Sequence, residues 1–235
     1  LYFIMVKEYW LREREYKNMK IEKVKNRNIL FNKSFQEGWN LNVHLIIGEK
    51  YNYIIDTGVG SSHLESIMEY IKNDNKNIIV INTHHHWDHI LGNSFFKAGI
   101  IVAHKLCKEM IEHNWDDMSK KHKEYIKYNE EMYLPNLLFE QELYFEEDKI
   151  RIIHTPGHTV DSISVVDELD KVIDVGDNLG DSVEELIPSI YCEKEKYINT
   201  LLRYSQMDFD TCISGHNIVM KRDVIDEILK DISKI

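Results

Sequence analysis

The chain has 235 residues, 43% hydrophobic and 29% charged, which excludes collagen-like, disulfide-scaffold and disordered classes and leaves a soluble chain with one large core. With 29 Lys+Arg against 40 Asp+Glu the net charge is −11, so the surface repels a phosphate backbone and no nucleic-acid partner is expected. Cys107, Cys192 and Cys212 lie far apart without CxxC spacing, which excludes a disulfide framework or zinc knuckle and fits a reducing cytoplasm.

Leu1-Tyr2-Phe3-Ile4 precedes Met5 and reads as a cloning remnant. Residues 1–18 mix basic and acidic side chains with Tyr9, Trp10 and Leu11, and are expected to form a packing or homodimer-forming arm rather than a membrane anchor. No run approaches the roughly 18 apolar residues of a membrane span, so no membrane partner is expected. The domain proper is expected over 19–235. Residues 19–24, 29–31, 42–47 and 51–55 read as strands, the last two joined by Gly48-Glu49-Lys50 in a hairpin. A helix follows to Ile71, with Ser61 or Ser62 as its cap, Glu65 in its acidic first turn and Leu64, Ile67, Met68 and Ile71 on its buried face. Residues 78–81 and 100–103 read as short buried strands around a histidine-rich loop. A polar-rich helical insertion spans about 104–133. Strands return at 143–145, 150–154, 162–166 and 172–175, and a helix at 193–204, a strand at 211–214 and a helix at 222–232 complete the chain. Two halves, each of strands followed by helices, suggest two sheets packed face to face with helices outside.

Twelve histidines are many for this length, and the chemistry concentrates in Thr83-His84-His85-His86-Trp87-Asp88-His89, directly after a buried strand. Unpaired imidazoles and carboxylates are costly in a core, so burial alone does not account for this run, and metal does. His84-x-His86 aims two imidazoles one way on an extended segment, while Asp88 and His89 begin the next turn and aim elsewhere, a pattern that serves two adjacent metals. His85, between them, is expected to point away. Downstream, His158 after Gly157, Asp177 after Gly176 and His216 after Gly215 each follow a β-rich run. The other histidines, His44, His63, His104, His113, His122 and His154, lack such a context and read as structural or surface residues.

With these residues in place the chain resembles a metallo-β-lactamase-fold hydrolase. The HxHxDH pattern reads His84, His86, Asp88, His89; the later positions match His158, Asp177 and His216; and Ile54-Ile55-Asp56-Thr57-Gly58 matches an early strand-turn signature. The resemblance spans about residues 19–220. It implies an α+β, four-layer αββα sandwich with the site at one edge. It also implies His84, His86 and His158 on one metal, Asp88, His89 and His216 on the other, and Asp177 bridging. Two divalent ions, zinc favoured over iron or manganese, would then share a hydroxide as nucleophile, with Asp88 orienting it and passing a proton to the leaving group. Asp56 either accepts from a ligand imidazole or caps its own turn.

The implied activity is hydrolysis of a small-molecule ester, thioester, lactone or amide. Flavodiiron relatives need a glutamate in place of His86. Glyoxalase II carries a thiol-binding helical domain after its last ligand, and little chain follows His216. β-Lactam hydrolysis and a mononuclear-iron, persulfide-dioxygenase-like oxidoreductase stand as alternatives. Only residues 90–103 separate the histidine loop from the insertion, whose Trp115, Tyr125, Tyr128 and Tyr133 either line a substrate pocket above the metals or pack as ordinary helix core.

Overall fold

β-Branched runs dominate the strands, and their pairing builds two sheets. The computed structural model describes residues 19–35, 38–125 and 131–232. The N-terminal arm expected over residues 1–18 and the side chain of Tyr128 lie outside them. The first sheet has seven strands in chain order: β1 (Met19–Lys23), β2 (Asn28–Ser34), β3 (Asn40–Ile47), β4 (Tyr51–Ile55), β5 (Asn77–Ile81), β6 (Ile100–His104) and β7 (Leu137–Phe139). β1 to β4 are antiparallel neighbours, and β4 to β7 are parallel. The second sheet runs β13 (Met220–Lys221), β12 (Thr211–Ile213), β11 (Val172–Asp174), β10 (Ile163–Asp167), β9 (Ile150–His154) and β8 (Glu142–Phe145).

The inner faces meet through Ile46, Tyr53, Ile55, Ile79 and Val102 of the first sheet and Ile150, Ile152, Ile163 and Val165 of the second. Helix α1 (Ser61–Tyr70) lays Leu64 and Ile67 on Phe31, Val43, Ile54 and Val80 outside the first sheet. Helices α4 (Lys194–Ser205) and α5 (Asp223–Ile232) cover the second, with Tyr197, Leu201, Ile225 and Ile228 against Ile153, Ile173 and Cys212. The layers are therefore helix, sheet, sheet, helix. Between them, α2 (Trp87–Ile90) is a single turn after β5, and α3 (Lys105–Lys121) follows β6 directly. Among the described residues no helix is long and apolar enough to cross a membrane.

Local differences from the sequence reading have simple causes. α1 has no serine cap: Gly60 holds the N-cap position at φ 99°, a conformation only glycine adopts freely, and no side chain caps the helix. Glu65 lies beyond the first turn, which carries no acidic residue. The 3-10 stretch Leu91–Phe96, α2, β7 and β13 are too short for periodicity to reveal.

Asp148 ties the two sheets together at the end away from the histidines. It accepts hydrogen bonds from the backbone N–H groups of Glu49, Lys50 and Tyr51 in the hairpin before β4, and from the Tyr53 hydroxyl at 2.8 Å. Burial opposes the charge, but these donors together hold the carboxyl below the usual carboxylate range. A depressed folded pKa means the stabilisation is complete above the ordinary value of about 3.9 and is lost as pH falls below it. Asp148→Asn is expected to cost about 2 kcal/mol at neutral pH and to flatten the acid limb of stability. Urea unfolding at pH 7 and pH 3 checks this, and an unchanged acid dependence in the variant would refute it.

Candidate metal centre

The C-terminal ends of β4, β5, β9, β11 and β12 carry Asp56, His84, His158, Asp177 and His216 to one edge of the sandwich. Backbone bonds across the sheets set their relative positions: Asp56 N donates to Ile81 O, Thr57 N to His89 O, Ile163 N to Thr83 O and Gly215 N to Gly176 O. There the seven side chains singled out in the sequence converge as two groups, His84, His86, His158 and Asp177 in one, Asp88, His89 and His216 in the other.

Asp177 joins the groups. Its Oδ2 lies 3.6 Å from His84 Nε2 and 3.7 Å from His158 Nε2, and 3.2 Å from His89 Nε2 and 3.4 Å from His216 Nε2. Ligand atoms on a common tetrahedral ion with bonds near 2.1 Å stand roughly 3.4 Å apart, so the spacing suits ions on both sides of this carboxylate. Asp88 Oδ2 is 3.2 Å from His216 Nε2 and 3.8 Å from His89 Nε2. His158 Nε2 and His86 Nδ1 are 3.0 Å apart.

The far nitrogens are already committed. His89 Nδ1 donates to Asp56 Oδ2, His158 Nδ1 to Ser189 O and His216 Nδ1 to Asn40 O, each at 2.7 Å. Thr83 Oγ1 donates to Asp56 Oδ2 at 2.7 Å and so accepts from His84 Nδ1 at 3.0 Å. These bonds place the lone pair of each Nε2 toward the centre. Asp56 thus accepts from the imidazole of His89, one of the converging side chains. It also accepts from Thr83 N at 2.7 Å, and so braces both groups.

Three buried polar atoms of the centre, His84 Nε2, His89 Nε2 and Asp177 Oδ1, have no hydrogen-bond partner. Such atoms are costly unless something binds them, and divalent cations bound between the two groups would satisfy the imidazole nitrogens. The field agrees. Burial, then the neighbouring His89, pushes His84 well down, and burial, then His158, brings His86 to about 4, which keeps neutral donors on that side. At His89 and His216 burial is overridden by Asp177 and its neighbouring carboxylates, which hold both well above the usual histidine range. Positive charge is favoured there. Gly215 permits the close packing, since a Cβ at that position would overlap Asp177 Oδ1 and stand 2.6 Å from His89 Cε1. The residues present therefore fit divalent metal.

His85 turns from the centre and pairs with buried Asp161 at 2.9 Å. His44 bonds Asp174 and Asn28 between the sheets, and His63, pushed down to about 3 by burial and Lys33, faces Leu41 O. His104 caps α3 by accepting from Leu106 N.

A cleft of about 370 Å³ opens on the centre, and its walls are not those expected from the insertion. Trp115 packs inward on Ile90, Ala103, Cys107 and Ile111, because the apolar face of α3 seeks the core. Tyr133 packs beside α1, its hydroxyl donating to Lys97 O. Tyr125 stands behind the wall, its ring 4.8 Å from Trp87 and 5.9 Å from Trp39. α3 does reach the histidine loop, but through its polar face, where Asn114, Asp117, Lys121 and His122 line a neighbouring cleft. The cleft on the centre is walled instead by Trp39, Trp87 and Tyr191, with Asp181 and Glu185 from the irregular stretch after Asp177. Sequence reasoning missed these. Trp87, inside the histidine run, carried a signal by adjacency, and the irregular stretch between Asp177 and α4 carried only its length.

Comparison with known proteins fits this geometry. Two probable metallo-hydrolases of Methanocaldococcus jannaschii are 34% and 28% identical over 137 and 146 residues, covering 56% and 62% of this chain and 64% and 59% of theirs. An atrochrysone carboxyl ACP thioesterase of Aspergillus chevalieri is 28% identical over 142 residues, 59% of this chain and 40% of that protein. The matched stretch thus spans less than two thirds of each relative. Among solved structures, the metallo-beta-lactamase of Pontibacter korlensis superposes with a TM-score of 0.74 at 15% identity, covering 92% of this chain and 100% of the other. The DIM-1 metallo-beta-lactamase does so with a TM-score of 0.74 at 16% identity, covering 92% and 97%. The model of the metallo-beta-lactamase superfamily matches residues 37–216, a stretch that begins before β3 and ends on His216. With all seven converging side chains inside that stretch and the two-sheet sandwich around them, the chain belongs to the metallo-beta-lactamase superfamily.

Proposed function

We propose that this protein is a dinuclear metal-dependent hydrolase of small acyl substrates, with thioesters the first class to test. The observation that carries the reading is Asp177 Oδ2, within 3.2–3.7 Å of four imidazole nitrogens drawn from both groups. A mononuclear site on His84, His86 and His158 would leave the buried His89 Nε2 without a partner. Imidazole and carboxylate donors together suit zinc, with iron and manganese as chemical alternatives.

Two divalent ions held by these residues would supply water acidified toward neutrality and a Lewis acid for the acyl oxygen. The chain supplies the rest. Asp88 faces the cleft, where its Oδ2 is placed to take a proton from the attacking water and return it to the leaving group. Asp56 fixes the orientation of His89 directly and of His84 through Thr83. Trp39, Trp87 and Tyr191 wall the cleft beside the reacting atoms. No Lys or Arg lines this cleft among the described residues, so the carboxylate of a β-lactam has no partner here. A thioesterase among the relatives favours thioesters over the other acyl classes.

Elemental analysis of protein purified without added metal, coupled to thiol release from a thioester panel, tests the reading. Close to two transition-metal ions per chain and chelator-sensitive thiol release are expected. A single iron per chain with oxygen consumption and no hydrolysis would overturn it.

A further inference from the structure

The cleft has a charge pattern that the proposed chemistry does not use. Besides the residues converging on the centre it presents two carboxylates, Asp181 and Glu185, and no Lys or Arg among the described residues. Neither carboxylate has an ion-pair partner among the described residues.

Their position is built into the fold. The stretch 177–191 begins on Asp177 and is fastened at its far end to His158, whose O accepts from Tyr191 N and whose Nδ1 donates to Ser189 O. In between, Gly180 N donates to Leu186 O, and Asn217 Nδ2 donates to Gly180 O at 2.8 Å. Gly180 packs so closely that a Cβ would overlap the Glu185 carbonyl, so the backbone folds back on itself between Asp181 and Glu185, and both line the cleft. The aromatic walls stand on the metal-facing histidines. Trp39 lies 5.9 Å from the His216 ring, and Tyr191 lies 5.7 Å and 5.3 Å from those of His86 and His158. Trp87 closes the side shared with Trp39.

Aromatic walls beside carboxylates, in a cleft whose lining holds no Lys or Arg among the described residues, form a surface that attracts an alkylammonium group. Charge on the centre does not forbid it: Asp56, Asp88 and Asp177 return most of the positive charge that two divalent ions bring, and Asp181 and Glu185 carry the cleft past neutrality. We infer that the cleft selects acyl substrates bearing a protonated or quaternary amine, countered by Asp181 and Glu185 and seated against Trp39, Trp87 and Tyr191. This assignment rests on the acyl-hydrolase reading and names its substrate class.

The test uses metal-loaded protein and two isosteric probes, a thiocholine ester and its neutral dimethylbutyl thioester counterpart. A kcat/KM preference for the cation on the order of tenfold is expected, falling toward unity in the double variant Asp181→Asn, Glu185→Gln. Hydrolysis of both probes without preference would overturn the amine assignment and leave the hydrolase reading intact. A preference that survives in the double variant would overturn the roles of Asp181 and Glu185. A binding measurement separates the two readings. Tetramethylammonium is expected to quench tryptophan fluorescence at lower concentration than neutral neopentyl alcohol, with roughly tenfold weaker affinity in the double variant. If neither thioester is cleaved, the hydrolase reading fails, and this titration alone decides: quenching that depends on Asp181 and Glu185 sustains the amine site, and its absence overturns it.

Discussion

Replacing Asp88 by asparagine is expected to slow thioester hydrolysis by roughly 10²–10⁴-fold while leaving most of the metal in place. The asymmetry follows from geometry. His89 Nε2 and His216 Nε2 stay 3.2 Å and 3.4 Å from Asp177 Oδ2, so an ion held on that side would keep three donors. What disappears is, among the described residues, the one carboxylate besides Asp177 that both faces the cleft and lies against His216 and His89, and an amide cannot accept the proton. Burial works against the charge on Asp88, but His89 and His216 hold its carboxyl below the usual range, so it is ionised at neutral pH and ready to accept. Elemental analysis beside steady-state rates separates the two effects. Full activity in Asp88→Asn would remove this residue from proton transfer, and loss of metal in proportion to loss of rate would make it a ligand only.

Asp56→Asn is expected to weaken metal binding by about 10–100-fold, although Asp56 touches no metal in the proposed arrangement. The carboxylate is almost fully buried and accepts from His89 Nδ1, Thr83 N and Thr83 Oγ1. An amide in its place turns one acceptor into a donor facing either the Nδ1–H of His89 or the N–H of Thr83, so one of these bonds is lost in either orientation. Asparagine is the informative variant because residue 56 sits at φ 62°, which Asn tolerates far better than most residues, so backbone strain is not the cause of what is lost. Competition with a chromophoric chelator gives the affinity, and thermal unfolding of the chelated protein gives the metal-independent cost. An unchanged affinity beside a lowered melting temperature would reduce Asp56 to a turn-former.

The longer strands, the two-sheet layering and the seven converging residues were legible along the chain because each leaves a local mark. A strand buried on one or both faces writes its pattern in successive residues, and His84, His86, Asp88 and His89 sit together since they end one strand and begin one helical turn. His158, Asp177 and His216 were marked by a glycine after a β-branched run, for the reason visible at Gly215, where backbone must pass close to the side chains it presents. The role of Asp56 was legible only as two alternatives. Both begin with a carboxylate after a strand, and the partner that decides between them, His89, comes from another segment.

The walls of the cleft, Trp87 apart, belong to the tertiary structure. Trp115, Tyr125 and Tyr133 looked like a lid because aromatic residues in a polar helical segment near the histidine loop satisfy either a pocket or a core, and chain distance alone does not choose. Packing chose the core for Trp115 and Tyr133, as each gained more by leaving water beneath α3 and beside α1. The actual walls come from three places remote in sequence: Trp39 before β3, Trp87 in the histidine run and residues 181–191 after Asp177. An irregular stretch has no hydrophobic period to read, and its course is set by bonds to distant partners, Asn217 to Gly180 and His158 to Ser189. The identity of the converging residues therefore follows from local chemistry, whereas what surrounds them is decided by which non-neighbouring backbone groups find each other when the sheets close.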